Sequence, residues 1–475
     1  MRSAGILCAL AACGAGFAAP AAAGFDDDFT GATLRVDYHH AGTAGQEHLA
    51  LDRVRVEGPW PGSRTRLVDT TDLGQYLLEV ADRATHALLY TRGFGAIFGE
   101  WETTEEALAG NWRAIPAALR FPEPRRPFQL RVRKRAPDQS FREVWSVTID
   151  PASRFVDRAR PPQGKWWAIQ ERGAAASKVD LAVLGDGYAA ADEAQFRSDA
   201  ERLTAALLSH EPFAARRGDF NVRAVFTPAA ESGVTRPRSG EFRETPLGTR
   251  YNTFDSERYV LTLDDRAWRD RAAVVPYEFV LILLNERQYG GGGIFGLYAT
   301  AAAGSSYAGY LAVHEFAHHF AGLGDEYYTS PTAYVDLPPV TVEPWEPNVT
   351  ALAGAGRPKW ADLVAAETPL PTPWDKAAFE ERARAFQARR QELRERGAPE
   401  AELERLFDEE REWSEGLLGR QAEAGRVGAY EGAMYHATGL YRPTADCIMF
   451  TRDRVGFCPV CRRAIERVID LYARP

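Results

Sequence analysis

Three of the nine histidines in the chain fall within six residues, at His314, His318 and His319. On a helix, His314 and His318 project from the same side, because residues four apart share a face. Two neutral imidazoles one turn apart match the tetrahedral coordination of zinc. Glu315 lies beside the first imidazole, where it can accept a proton from water activated by the metal. His319 points elsewhere on the helix, and we interpret it as a packed or solvated residue.

A catalytic zinc ion usually has three protein ligands and one open position, so two histidines are not sufficient. Gly322 and Gly324 are natural helix terminators and allow the chain to turn back toward the metal. Asp325 follows this turn and is the candidate third ligand, with Glu326 as the alternative. A carboxylate ligand is less usual than histidine but chemically acceptable, with its oxygen at about 2 Å from zinc.

The segment of residues 313–327 resembles the IgA peptidase family of secreted bacterial zinc metalloendopeptidases (metallopeptidase family 64), within the wider metzincin clan. Other segments similar to the family are residues 35–38, 93–94, 100–101, 184–188, 219–222, 257–259, 289–294 and 439–443. The resemblance covers nearly the whole chain after the N-terminal segment. It implies hydrolysis of peptide bonds in a protein or peptide substrate by zinc-activated water, with Glu315 as the general base. The sequence departs from the metzincin pattern because Gly322 comes one residue late and Asp325 stands seven residues after His318.

Metzincins carry a methionine turn beneath the metal. The chain has only three methionines, and Met449 lies downstream of the histidine motif, as that turn should. The resemblance therefore implies that Met449 forms an apolar floor for the histidine ligands. An ordinary core methionine is the alternative.

Four consecutive glycines, Gly290, Gly291, Gly292 and Gly293, follow a predicted strand and precede the histidine motif. We favour a strand edge whose backbone accepts an extended substrate by strand addition. A flexible loop bent by glycines is the alternative.

Candidates for stabilising the oxyanion are His436, Tyr327 and Tyr435, and the sequence does not choose among them.

Three of the five cysteines, Cys447, Cys458 and Cys461, cluster near the C-terminus. We favour one disulfide and one free thiol, which would hold the segment around Met449 in place. A second, structural zinc site is the less favoured alternative, with His436 as the nearby histidine for a fourth ligand.

The pattern of predicted strands and helices that positions these residues indicates a two-domain α+β chain. Residues 24–160 contain short β-branched runs between turn residues, which is typical of a β-sandwich. Residues 170–475 alternate strands and helices, which predicts an α/β domain with a covered sheet. The family resemblance implies that this domain is a metzincin-like zinc peptidase domain. Within it, residues 376–424 are dense in Glu and Arg and predict an inserted charged helical hairpin. We interpret the hairpin as a solvated helical surface rather than a cover or a partner arm.

The composition excludes several classes of protein. Apolar residues make up 45% and charged residues 26%, which indicates a globular chain. The net charge of −9 argues against nucleic-acid binding, because no basic surplus neutralises phosphate. After residue 24 no apolar run is long enough to span a membrane. The oligomeric state is left open.

The N-terminus predicts an export signal over residues 1–23. Arg2 supplies a positive charge, an apolar stretch follows, and Ala21 to Ala23 form a small-residue cleavage site. The protein is therefore expected to be secreted or periplasmic. Lipoprotein anchoring at Cys13 is the less favoured alternative.

The leading function is thus a secreted zinc endopeptidase. One alternative is a non-catalytic binding or adhesion protein in which zinc is structural and the β-sandwich binds the partner. The presence of Glu315 argues against it, since a structural site has no use for a base. The other alternative is a zinc amidase acting on cell-wall peptide.

Overall fold

The computed structural model describes residues 24–159, 163–329, 342–354 and 356–473. The predicted export signal, with Cys13, lies outside the described residues. Within the described ranges, no helix is both long and apolar enough to cross a membrane.

The N-terminal part of the chain is β-rich, with two four-stranded sheets. The strands are β1 (Phe29–Thr43), β2 (Gln46–Pro59), β3 (Tyr76–Asp82), β4 (Leu88–Phe94), β5 (Arg113–Pro124), β6 (Phe128–Arg135), β7 (Phe141–Ile149) and β8 (Val156–Asp157), and the short helices are α1 (Phe25–Asp28), α2 (Ile97–Trp101) and α3 (Glu105–Leu108). One sheet has the order β5-β1-β2-β8 and the other β4-β3-β6-β7. Alternating residues such as Leu34 and Val36 in one sheet, and Leu78 and Leu130 in the other, pack into one apolar core.

The second part of the chain is built on a six-stranded sheet with the order β13-β14-β12-β10-β11-β9. Its strands are β9 (Lys165–Gln170), β10 (Val179–Asp186), β11 (Phe220–Phe226), β12 (Phe279–Leu284), β13 (Gly291–Ile294) and β14 (Tyr298–Ala302), and a separate hairpin contains β15 (Tyr430–Ala433) and β16 (His436–Arg442). The four central strands are parallel, and β9 and β13 are antiparallel at the two edges. The second domain was predicted to start at residue 170. The first strand of this sheet, β9, already begins at Lys165.

Helices cover both faces of this sheet. The helices of this part of the chain are α4 (Glu193–Leu207), α5 (Asp265–Ala272), α6 (Ala308–Ala321), α7 (Lys376–Glu395), α8 (Glu400–Leu418) and α9 (Pro459–Ala473). Helices α4, α6 and α9 pack on one face, and α5 with α2 packs on the other. Every residue of β10, β11 and β12 is buried, which explains their continuous apolar runs. The two-domain α+β organisation with a β-rich start is as predicted.

Helices α7 and α8 pack against each other along an apolar stripe that includes Phe386, Leu403 and Phe407. Several hydrogen bonds and ion pairs attach the pair to the rest of the domain. The backbone N–H of Tyr289 donates to the Glu400 carboxylate at 3.1 Å, and the Tyr307 hydroxyl donates to Asp408 at 2.8 Å. These helices are therefore rich in charged residues and also have a buried apolar face.

The N-terminal sheets contact the second domain directly. The buried Arg35 guanidinium forms an ion pair with Asp270 at 2.7 Å. Closer to the candidate site, the backbone N–H of Gly95 donates to the carbonyl oxygen of Phe295 at 2.7 Å. Residues of the loop after β4 therefore reach the same edge of the six-stranded sheet as β13.

Candidate active site

Three potential metal-ligating atoms form a nearly equilateral triangle at the end of α6. Nε2 of His314 lies 3.1 Å from Nε2 of His318 and 3.1 Å from Oδ1 of Asp325, and His318 Nε2 lies 3.2 Å from the same oxygen. Zinc at about 2.0–2.1 Å from each of three tetrahedral ligands would separate them by about 3.3–3.4 Å. The triangle therefore fits the coordination predicted from the sequence, with one position left for water or substrate.

The hydrogen bonds of the two imidazoles define which nitrogen faces this triangle. Nδ1 of His314 donates to the carbonyl oxygen of Ile448 at 2.9 Å, and Nδ1 of His318 donates to the carbonyl oxygen of Leu323. A carbonyl oxygen only accepts, so Nδ1 carries the proton in both rings and the Nε2 lone pairs point inward. Two lone pairs and a carboxylate oxygen at this distance require a positive charge among them, either a proton or a metal ion.

The turn that follows α6 brings the carboxylate to the histidines. Gly322 ends the helix in the left-handed conformation, with φ 59°, and its N–H donates to the His318 carbonyl. Asn348 then holds the chain on both sides of Gly324. Its side-chain oxygen accepts from the Gly324 N–H at 2.8 Å, and its amide group donates to the Gly324 carbonyl at 2.9 Å. The reversed chain presents Asp325 to the two imidazoles.

A chain of hydroxyl groups orients Asp325. Tyr435 donates to Oδ2 of Asp325 at 2.6 Å, Tyr327 lies 3.3 Å from the Tyr435 hydroxyl, and Arg258 donates to the Tyr327 hydroxyl at 2.7 Å. Tyr435 is at the tip of the β15–β16 hairpin, where it and Met434 have φ of 65° and 46°. Positive φ at two non-glycine residues is unusual and carries backbone strain, which is common at functional sites.

The charges of the site are coupled. Burial raises the pKa of Glu315 above its usual range, and the imidazoles of His314 and His318 offset this only in part. Burial also acts to raise the pKa of Asp325, yet the imidazoles outweigh it and hold that pKa well below its usual range. Burial lowers the pKa of His318, but the Asp325 carboxylate raises it to a net value of about 9. Asp325 is therefore ionised, and a proton on His318 competes with any metal ion.

Glu315 and the ligand triangle line a cleft of about 500 Å³. The cleft lies between β13, the segment after α6 and the tip of the β15–β16 hairpin, and residues of the N-terminal domain such as Glu100 contribute to its wall. The three oxyanion candidates, Tyr327, Tyr435 and His436, also line it. Burial lowers the pKa of His436, which favours its neutral form.

The glycine run divides between two environments. Gly291 and Gly293 line the cleft, while Gly290 and Gly292 pack against aromatic residues of the neighbouring loop. The backbone of Gly291 is already paired, because its N–H donates to the carbonyl oxygen of Arg258 and its carbonyl accepts from the N–H of Val260. At Gly293 a Cβ atom would lie 2.1 Å from the carbonyl oxygen of Glu315. Glycine is therefore required there for α6 to approach β13 closely.

Two further residues singled out in the sequence lie within the core. His319 is fully buried, and burial lowers its pKa to about 3. Its Nε2 accepts from the Val280 N–H at 3.1 Å, so it is a packed histidine and lies outside the ligand triangle. Met449 is also fully buried, and its carbonyl accepts from the Glu326 N–H at 2.9 Å. Its role as a floor beneath the histidines stays a prediction.

The disulfide favoured from the sequence is wrong. Cys447, Cys458 and Cys461 are all free and buried, and the Sγ atoms of Cys447 and Cys461 lie 3.9 Å apart, far from the bonded distance of about 2.05 Å. The side chain that completes this cluster is Glu326, rather than His436. Glu326 was the alternative to Asp325 as the third ligand. Its side chain instead points away from the triangle formed by His314, His318 and Asp325.

Sequence reasoning missed the supporting residues Asn348 and Tyr310. Tyr310 lies one turn before His314, and its hydroxyl is 3.1 Å from His314 Nδ1. The i, i+4 spacing on a helix is the signal that could have identified it. Asn348 carries no local signal, because its partner Gly324 is remote in sequence. Arg258 lies in a segment that resembles the family, but no role was assigned to it.

A cleft with two imidazoles, a carboxylate and an adjacent glutamate is typical of metal-dependent hydrolases. The family model described as IgA Peptidase M64 matches residues 167–469, and the model described as Peptidase M64 N-terminus matches residues 24–146. The first match spans more than half of the chain, so the chain belongs to the IgA peptidase M64 family. It is accordingly a peptidase, and its substrate is a protein or peptide. No curated protein matches the chain.

Proposed function

We propose that the protein is a zinc-dependent endopeptidase whose metal is held by His314, His318 and Asp325. The triangle of their ligand atoms, 3.1–3.2 Å on each side and open to a cleft that contains Glu315, is the observation that carries the proposal. A bound zinc ion supplies a Lewis acid that polarises the scissile carbonyl and makes water a nucleophile near neutral pH.

Glu315 performs the proton transfers in this proposal. Its carboxylate accepts a proton from the attacking water and then delivers that proton to the departing amine. Its position on the cleft wall favours both steps, because burial raises the pKa of Glu315 above its usual range and so makes it a stronger base than an exposed glutamate. A donor for the oxyanion comes from among His436, Tyr327 and Tyr435, which face the same cleft.

The substrate binds as an extended strand next to β13. Along an antiparallel strand, the N–H and C=O groups of successive residues point to opposite sides. Gly291 and Gly293 are two residues apart, so both direct these groups to the same side, away from β14. At Gly291 this side is occupied by residues 258–260, and at Gly293 it borders the cleft. The segment of the substrate nearest the scissile bond therefore pairs at Gly293.

The remaining sequence predictions complete the proposal. The catalytic domain is metzincin-like, with Met449 as the floor of the metal site. The N-terminal domain, with Glu100 in the cleft wall, helps to position the substrate. Helices α7 and α8 form a charged helical hairpin with a solvated outer face. The N-terminal signal directs the protein out of the cytoplasm.

Removal and restoration of the metal test the proposal. The purified protein is incubated with a mixed peptide library, and the products are identified by mass spectrometry. We expect internal cleavage sites, loss of cleavage after chelation, and recovery on addition of zinc. A fully folded, zinc-loaded protein that leaves the whole library uncut would contradict a general endopeptidase and favour the binding-protein alternative.

A further inference from the structure

A second cluster of potential metal ligands lies on the far side of the loop that carries Asp325. Cys447, Cys458, Cys461 and Glu326 are buried, and one ligand atom from each lies within 4.8 Å of all the others. We propose that these four residues bind one structural zinc ion, distinct from the metal of the active site. This site does not depend on the proposed peptidase mechanism.

The separations between the ligand atoms match tetrahedral zinc. The Sγ atoms of Cys447 and Cys461 are 3.9 Å apart, and a zinc–sulfur bond of about 2.3 Å gives about 3.8 Å between two tetrahedral thiolates. Cys461 Sγ lies 3.3 Å from Oε1 of Glu326, close to the value of about 3.5 Å for one sulfur and one oxygen ligand. Three thiolates and one carboxylate also give the sulfur-rich donor set that zinc prefers.

Backbone N–H groups at the start of α9 point into the cysteine cluster. The N–H of Cys458 donates to Cys447 Sγ at 3.4 Å, and the N–H of Cys461 donates to Cys458 Sγ at 3.4 Å. Cys458 immediately precedes α9, and Cys461 lies in its first turn. The backbone at the start of α9 therefore directs an N–H group at each of two sulfur atoms, those of Cys447 and Cys458.

Glu326 supplies a further argument for a cation. Its side chain is completely buried, and Oε1 accepts a hydrogen bond from Asn348 at 3.0 Å. Oε2 has no hydrogen-bond partner among the described residues. The nearby Arg442 guanidinium donates instead to backbone carbonyls, including those of Gly432 and Ala445. A buried carboxylate with an unpartnered oxygen is costly, and a zinc ion bound to this group would offset the cost by balancing its charge.

The second site would fasten together the segments that build the first one. Glu326 adjoins Asp325, and its N–H donates to the Met449 carbonyl at 2.9 Å. Cys447 adjoins Ile448, whose carbonyl accepts from Nδ1 of His314 at 2.9 Å. The ion would therefore fix the loop that carries the third active-site ligand relative to the segment that orients the first. Its four ligands act as positioning residues and do not touch the substrate.

Metal analysis of the full-length protein tests this inference. We expect two zinc ions per chain in the wild type and one in the His314→Ala/His318→Ala variant. When cobalt(II) replaces that remaining zinc, we expect a thiolate-to-cobalt charge-transfer band. The band should disappear when Cys458→Ser is added. A double variant that binds no metal, or whose cobalt spectrum lacks the sulfur band, would overturn the proposal.

A measurement on the wild type covers the case in which Cys458→Ser fails to fold. The protein without its predicted export signal, and therefore without Cys8 and Cys13, is titrated with an organomercurial in the presence of a zinc-sensitive dye. We expect one zinc ion to be released as the three remaining thiols react. Three thiols that react without zinc release, or an intact mass lower by two hydrogens because of a disulfide, would count against the site. Because the His314→Ala/His318→Ala variant lacks the first site, loss of the second is distinguishable from failure of the proposed peptidase function.

Discussion

The hydroxyl of Tyr435 donates a 2.6 Å hydrogen bond to Oδ2 of Asp325, which leaves Oδ1 directed at the two histidines. The bond joins the tip of the β15–β16 hairpin to the turn after α6, two parts of the chain that are remote in sequence. The backbone of the hairpin also contacts this turn, because the Met434 N–H donates to the Asp325 carbonyl at 2.9 Å. The carboxylate of Asp325 is thus oriented by a hairpin that lies about 110 residues further along the chain.

The first prediction concerns this hydrogen bond. Tyr435→Phe removes the donor to Asp325 and should lower zinc affinity at the active site by about 10–100-fold, as loss of an outer partner of a metal ligand typically does. Competition with a chelating dye measures the affinity. Tyr441→Phe in the same hairpin is the matched control and should bind zinc as the wild type does. Equal affinity in both variants would show that the hydrogen bond does not orient the ligand.

The identity of the third ligand gives a second prediction. Asp325→Ala should remove active-site zinc, with an affinity loss greater than the roughly 10–100-fold that outer partners contribute. Glu326→Gln should retain that ion, because its side chain points into the cysteine cluster. Metal content and the cobalt spectrum of each variant separate the two sites. The assignment fails if Asp325→Ala keeps a nitrogen-ligated metal while Glu326→Gln loses it.

A third prediction tests the close approach of β13 to α6. In Gly293→Ala the added Cβ atom would lie 2.1 Å from the Glu315 carbonyl oxygen. We expect a loss of about 1–3 kcal/mol in the free energy of unfolding, as overpacking usually costs, together with a lower kcat/KM. Urea unfolding and peptide cleavage measure the two effects. Gly218→Ala is the control, since nothing lies within 4 Å of its added methyl group, and an equal effect at both positions would refute the packing argument.

A fourth prediction concerns acid stability in the N-terminal domain. Burial acts to raise the pKa of Glu47, but a 2.7 Å contact with His40 and a 3.0 Å ion pair with Lys134 outweigh it and lower the pKa to about 2. Between that value and the ordinary pKa of 4.5, the unfolded chain binds a proton that the folded chain does not. The stability contributed by Glu47 is therefore complete above pH 4.5 and lost as the pH falls toward 2.

The expected loss across this window is about 3 kcal/mol. Glu47→Gln should be less stable than the wild type at pH 7 and should lose less stability on acidification. Urea unfolding followed by tryptophan fluorescence at several pH values measures both quantities. Glu143→Gln, at an exposed position of the same domain, is the control. Parallel pH profiles for wild type and Glu47→Gln would contradict the pKa shift.

The sequence predicted those parts of the site that depend on local geometry. The spacing of His314 and His318 requires only a helix, and the glycines after α6 are enough to suggest that the chain turns back and brings Asp325 to these histidines. The alternation of strands and helices likewise predicted an α/β domain with a covered sheet. These features follow from periodicity and turn chemistry within about ten residues of one another.

The parts that depend on tertiary contacts were not predictable in the same way. Asn348 and Tyr435 support Asp325 only because the fold brings distant segments together. Counting cysteines favoured a disulfide, but a sequence does not give the distance between Sγ atoms. It also does not show that Glu326, far from the cysteines along the chain, turns into their cluster.

The most direct test of the central claim compares the wild type with Glu315→Gln at equal zinc content. The peptide most readily cleaved from a mixed library serves as the substrate, and kcat/KM is measured for both proteins. Loss of the general base should lower kcat/KM by at least about 100-fold while the metal remains bound. If Glu315→Gln cleaves the peptide as fast as the wild type, the assignment of this cleft as the peptidase active site is wrong.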